Sequence, residues 1–327
     1  MHGQDRKLSH TSLQQAAHWY VLLHDENTTD QQRAQWQAWL DQQGEHQDAW
    51  RYVERVGQRF APLQSDNERE SASAMLRAAE HSSFSRRQGL KTLMVLGASS
   101  LLGWGAWRTT PLPRLVVSWT SDFSTHTGEI RDTILADGTH LWLSALSSVD
   151  AEFTADQRLL HLRFGEVLID TVSDARRPFL IDTRHGRMRA LGTRFGVKQM
   201  ENITRLNVYQ GAVEVCTGES AQTEVVNAGY QVDFSHLAIN AQRPAQITGE
   251  SWIHQVLTAE NMALGQLVNE LGRYRHGYLG CNPAVASLPV IGAFPLNDTE
   301  QALRLLSAAL PIRVQRLTDW WVSIEPA

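Results

Sequence analysis

The chain has 327 residues, a net charge of −5 and 42% hydrophobic residues, which is enough for two or three domains. So mild a charge gives no reason to expect a direct nucleic-acid partner. The two cysteines, Cys216 and Cys281, form no CxxC pair, so neither a zinc site nor a disulfide framework is expected, although one bridge is open to them if oxidised.

The first ten residues are polar, and no signal peptide is expected there. Leu13, Ala16, Ala17, Tyr20 and Leu23 then recur at helical spacing. Asp25 to Thr29 breaks the pattern, and Thr29 with Gln32 forms a capping box that starts a second helix, to about Leu40. Gly44 is placed to end it. A third helix carries Ala49, Trp50, Val53, Val56 and Phe60 on one face. These helices make a small all-α bundle over residues 1–64. Ser65 and Glu68 are placed to cap a fourth helix, but the polar stretch 65–91 reads as a tether.

Residues 92–107 are apolar and uncharged, about 24 Å long as a helix. That is short against the roughly 20 residues of an ordinary span. Lys91 and Arg108 extend it by snorkelling, and Trp104 and Trp107 suit an interfacial belt. Arg86, Arg87 and Lys91 outnumber Arg108, which places the N-terminus in the cytoplasm. A single transmembrane helix is the expectation.

Beyond Arg108 the period becomes two. Asp137-Gly138 marks a hairpin, and Leu160, Leu162 and Phe164 alternate with His161 and Arg163 before a turn at Gly165. The region 108–245 is expected to be all-β. Arg184, His185, Arg187 and Arg189 read as a solvated strand face, and Glu166 and Asp170 as a polar strand edge. In residues 246–327, Asn261 is placed to cap a helix through Leu264, Leu267, Val268, Leu271 and Tyr274. Asn297 is placed to cap another, with Glu300 at its third position. Together with the apolar runs this gives a β-α-β-β-α-β-β order. No nucleophile elbow, P-loop or zinc-protease motif is present, so no enzyme, cofactor or metal is expected.

Two stretches carry a resemblance. Trp19, then Trp36-x-x-Trp39-Leu40, then His46-x-x-Ala49-Trp50 resemble the N-terminal domain of FecR-type sigma regulators. Arg177-Pro178-Phe179 and Leu191-Gly192-Thr193-Arg194-Phe195 resemble the core FecR motif, with Gly196 where the family has Asn, read as a turn-tolerant exchange. The last 82 residues look like the short N-terminal domain of secretins and TonB-dependent receptors. The resemblance implies a single-pass inner-membrane anti-sigma factor with its C-terminal region in the periplasm. Its partners would be an extracytoplasmic-function sigma factor, the signalling domain of an outer-membrane TonB-dependent transducer and envelope proteases, commonly in iron uptake with regulated proteolysis. Trp19, Trp36, Trp39 and Trp50 are the expected sigma-factor contacts, since Trp is favoured at interface hot spots. Val290, Ile291, Trp321 and Val322, on two apolar strands, are candidates for edge pairing with the receptor domain. The alternative is a membrane-tethered periplasmic scaffold or binding module for envelope assembly.

Overall fold

The computed structural model describes residues 8–24, 28–60, 121–245 and 247–327. The 65–91 tether and the apolar stretch 92–107 lie outside the described residues. No helix among the described residues is long and apolar enough to cross a membrane. The described residues fall into two compact units, one holding those up to residue 60 with Gln315–Ser323, the other those from 121 to 314 with Ile324–Ala327.

In the first unit, α1 (His10–Leu23), α2 (Asp30–Gln42) and α3 (Gly44–Phe60) follow one another with short breaks. Ser9 caps α1 by accepting the Ser12 N–H. The Thr29–Gln32 capping box opens α2 as expected, with both reciprocal bonds made. Gly44 does not terminate α2; it is the first residue of α3, and Gln43 in an extended conformation breaks the two helices. Ala16, Ala17, Ala49 and Val53 are fully enclosed. Gly57 allows a close approach, because a Cβ there would lie 3.0 Å from Tyr20 Cε2 and closer still to the phenol oxygen. The Phe60 side chain lies outside the described residues.

The second unit opens with an all-β region. Its strands are β1 (Phe123–Ser124), β2 (Arg131–Ile134), β3 (His140–Leu143), β4 (Ser148–Phe153), β5 (Arg158–Asp170), β6 (Phe179–Thr183) and β7 (Gly186–Ala190). They continue as β8 (Arg194–Gln199), β9 (Thr204–Gln210), β10 (Ala212–Thr217), β11 (Thr223–Asn227), β12 (Tyr230–Phe234) and β13 (Arg243–Pro244). The long path runs β11-β10-β7-β6-β5-β8-β9-β12-β13. The Asp137-Gly138 hairpin joins β2 to β3 as expected, with Gly138 at φ +87°.

Strand β5 organises this region. Its first part pairs with β4 and, in parallel, with β6, whereas its second part pairs with β3 and β8. Gly165, at φ +95°, lies at the changeover, inside one strand of 13 residues. The expected turn is therefore a bend: glycine re-aims the strand without ending it. Both halves face one core, with Leu160, Leu162, Met188 and Val213 from one side and Ile169, Phe195, Val197 and Leu206 from the other. Gly196 is also no turn residue. It sits within β8, where a Cβ would come to 3.6 Å from the Tyr209 ring.

A 3₁₀ helix (Ile247–His254) leads into β14 (Val256–Ala263), α4 (Leu264–Gly272), β15 (Tyr278–Cys281), β16 (Pro289–Pro295), α5 (Thr299–Ala309), β17 (Ile312–Thr318) and β18 (Trp321–Pro326). The expected element order is present. β14 pairs with β16, and β15, β18 and β17 lie side by side in that order. Asn261 caps nothing. It adopts φ +59° inside β14, where the register slips between Glu260 and Met262, while α4 starts after Ala263 with no side-chain cap. The cap of α5 is Asp298, which accepts the Gln301 N–H, one residue later than expected. Tyr274 lies past the end of α4. Cys216 and Cys281 are both free and half-buried, and burial pushes the Cys281 thiol up to about 11.

Candidate functional site

The aromatic residues of the helical bundle form the first candidate site. Trp39 is 7% exposed and donates from Nε1 to Gln15 Oε1 at 2.9 Å. His46, also buried, donates from Nδ1 to the Trp39 carbonyl at 2.7 Å. That carbonyl can only accept, so the bond fixes the proton on Nδ1. Trp50 is 9% exposed, and its ring lies 5.0 Å from that of Trp36 and 6.1 Å from Tyr20. Trp36 is half-buried, with an Nε1 that has no partner among the described residues. Trp19 is half-buried too, and with Gln14, Gln15, His18 and Trp39 it lines a groove of about 450 Å³ whose remaining wall is Gln315 and Leu317. All four sequence-predicted Trp residues thus occur in one small bundle, but Trp39 and Trp50 are mostly interior, and Trp19 and Trp36 keep more surface. In the same unit, Tyr20 meets Trp320 edge-on at 5.7 Å and Tyr52 meets Trp321 at 6.4 Å.

The C-terminal candidates separate by burial. Ile291 is 80% exposed, whereas Val290, Trp321 and Val322 are buried. β18 has a strand on each side, so its backbone offers no free edge and the expectation for it fails. β16 pairs only with β14, which leaves its second edge without a strand among those described.

Three polar groupings in the β region escaped the sequence reading. Arg158 and Asp137, 4% and 2% exposed, form a buried pair at 2.8 Å, and Arg158 also donates to the carbonyls of Val172 and Arg177. Burial pushes the Asp137 carboxyl up, but its bonds from Thr139 and Arg158 outweigh this and hold it below the usual range. His185 is 2% exposed and meets Thr204 Oγ1 at 2.9 Å, so it does not belong to a solvated face. Burial holds its pKa down, partly offset by a bond to the Glu201 backbone. Glu166 is no open strand edge: it is ion-paired to Lys198 at 3.2 Å and to Arg273 at 2.9 Å. Such partners lie 32 and 107 residues away, and no local pattern announces them. Arg187 is exposed and paired with Asp182, and Arg189 is exposed, in keeping with a solvated face. Among the described residues, no group of three or more His, Cys, Asp or Glu side chains is placed to hold a metal.

Comparison with known proteins gives two family matches. Residues 121–214 match the family described as FecR protein, and residues 14–56 match a domain of unknown function, DUF4880. No curated protein matches the chain. Two crystal structures of a candidate anti-sigma factor from Parabacteroides distasonis, at 2.50 and 1.65 Å, each share 22% identity with it. Each gives a TM-score of 0.55 and covers 63% of this chain and 98% of the other, a likeness of fold.

Proposed function

The chain is a FecR-type protein, carrying a FecR domain at residues 121–214 and a DUF4880 region ahead of it, and on that premise we propose that it is an anti-sigma regulator spanning the inner membrane once. The helical bundle holds an extracytoplasmic-function sigma factor in the cytoplasm. The span is the apolar stretch 92–107, and the β and C-terminal regions stand in the periplasm. There the C-terminal α+β region, of the secretin and TonB short N-terminal type, receives a signal from the signalling domain of an outer-membrane TonB-dependent transducer, in iron-carrier uptake. Envelope proteases then release the N-terminal part. The observation that carries this reading is the order of parts: a Trp-rich helical bundle, an apolar stretch with basic residues ahead of it, then a FecR domain.

On this reading Trp19 and Trp36, the less buried of the four, supply the sigma-factor contact, and the edge of β16 around Ile291 is where the receptor domain adds a strand. The first test is whether residues 1–91 co-purify with the candidate sigma factor. A complex is expected; its absence, with the bundle folded, overturns the reading.

One observation favours the scaffold alternative. An N-in topology separates Tyr20 from Trp320 by the membrane, so that topology and their 5.7 Å contact cannot hold together. A reporter active only outside the cytoplasm decides the matter. Fused after Phe123 and after Ser65, it should work only in the first position. Activity at both would place the whole chain outside the cytoplasm and favour the scaffold.

A further inference from the structure

Glu166 on β5, Lys198 on β8 and the Glu270–Arg273 pair at the end of α4 form a single ionic cluster in the second unit. Lys198 reaches Glu270 at 2.5 Å and Glu166 at 3.2 Å. Arg273 reaches Glu166 at 2.9 Å and Glu270 at 3.1 Å. The two carboxylates and two cations balance, and none of the four side chains is more than 24% exposed. Further bonds surround them. Arg273 donates to the Ala145 carbonyl at 2.6 Å, and the Gly128 N–H donates to the Arg273 carbonyl at 3.0 Å. The Tyr274 and Ser144 hydroxyls are 2.8 Å apart. The end of α4 and the two residues after it are therefore tied to four separate pieces of the β region: β5, β8, the Ser144–Ala145 segment and Gly128.

Exposed ion pairs contribute little, but a half-buried cluster with additional hydrogen bonds is costly to break at one member, because the others are left uncompensated. Such a cluster opens as a whole or stays shut. Burial pushes the Glu270 carboxyl up, yet Lys198 and Arg273 outweigh it and hold it at about 2. The Glu270 charge thus persists at neutral and mildly acidic pH.

We propose that Glu166, Lys198, Glu270 and Arg273 are a latch that fixes the C-terminal α+β region to the β region, so that a partner engaging the former moves the latter with it. The signalling role rests on the anti-sigma reading above; the latch itself does not.

The test uses the full chain in its membrane. Arg273→Ala leaves two carboxylates facing Lys198 alone. A fourfold variant (Glu166→Gln, Lys198→Met, Glu270→Gln, Arg273→Met) removes every charge together and strands none, which keeps it folded if the single variant is not. Circular dichroism checks the fold. Hydrogen exchange of the peptide His126–Ile130 reports docking, since the Gly128 amide is bonded to the Arg273 carbonyl. At least tenfold faster exchange is expected in each folded variant. Sigma-dependent transcription is expected to lose at least tenfold of its induction, with sigma binding by the helices unchanged. Unchanged exchange in the folded fourfold variant overturns the latch, and faster exchange with full induction overturns its signalling role. A wild-type chain that answers no inducer overturns the anti-sigma reading instead, and the exchange result still decides the latch.

Discussion

The indole of Trp39 lies flat against the imidazole of His46, with centroids 4.4 Å apart and planes 8° from parallel. The same imidazole holds the Trp39 carbonyl, so ring and backbone are clamped together where α2 gives way to α3. Two members of the H-x-x-A-W and W-x-x-W-L pattern thereby act on each other.

Trp39→Ala should therefore lose about 3–5 kcal/mol, the cost of emptying a site built for a large aromatic. His46→Ala should lose roughly 1–3 kcal/mol through the orphaned carbonyl. Trp19→Ala should keep the fold and weaken sigma-factor binding by about 2 kcal/mol or more. Thermal unfolding and affinity, measured on each variant of residues 1–91, separate these outcomes. Loss of binding only where the fold is also lost would move the interface to the polar residues of the same helices.

Asp137 gives an acid-dependent signature. Its folded pKa is below the ordinary 3.8, so its stabilisation is complete above that value and drains away as pH falls through the folded pKa. Asp137→Asn strands the buried Arg158 and should cost about 3–5 kcal/mol at pH 7. The penalty should shrink as pH is lowered toward 2 and the wild-type carboxyl begins to take up a proton too. Denaturant unfolding at both pH values checks this, and a constant penalty would count against the pair.

His185 acts in a different window. Its folded pKa is depressed below 6.5, so the unfolded chain takes up the proton first as pH falls. Stability attributable to this residue is full above pH 6.5 and declines below it. In His185→Gln the loss of melting temperature between pH 7.5 and pH 5 should be smaller than in the wild type. An identical loss in the two chains would show that His185 does not titrate in this range.

Gly165→Ala should be among the most damaging small substitutions in the β region. The added Cβ would lie 2.5 Å from the backbone Cα of Ser147, which cannot rotate away as a side chain can. Overpacking costs about 1–3 kcal/mol, and the left-handed backbone adds about 1–2 kcal/mol for any residue with a Cβ. A chemical denaturation midpoint close to the wild type would show that β5 bends without needing glycine.

What was legible in the sequence was local. The Thr29–Gln32 box and the Asp137-Gly138 hairpin each lie within a few residues, and each appears where the pattern places it. The helical bundle followed by a β region was likewise readable from the change of period. Gly165 is conspicuous in the sequence but its role is not, because a glycine between two alternating runs looks the same whether the chain reverses or only bends. Asn261 offered a capping side chain, but its tolerance of positive φ was used in a bulge instead. The burial of Trp39 over Trp19 and the pairing of Glu166 with Arg273 depend on elements brought together only by the fold, and no spacing rule reaches that far.

The path of β5 also sets an order of events. This strand needs β3 and β4 from before it and β6 and β8 from after it, so its first half has both neighbours only once the chain through Thr183 is present, and its second half only once Gln199 is. Contacts of such long sequence separation form slowly. If the β region is threaded across a membrane from its N-terminal end, the chain through Gln199 must emerge before it can close, and until Thr183 has followed them Leu159 and Leu160 wait without β6 beside them. Assistance from a holding chaperone would be needed at that stage, and not later.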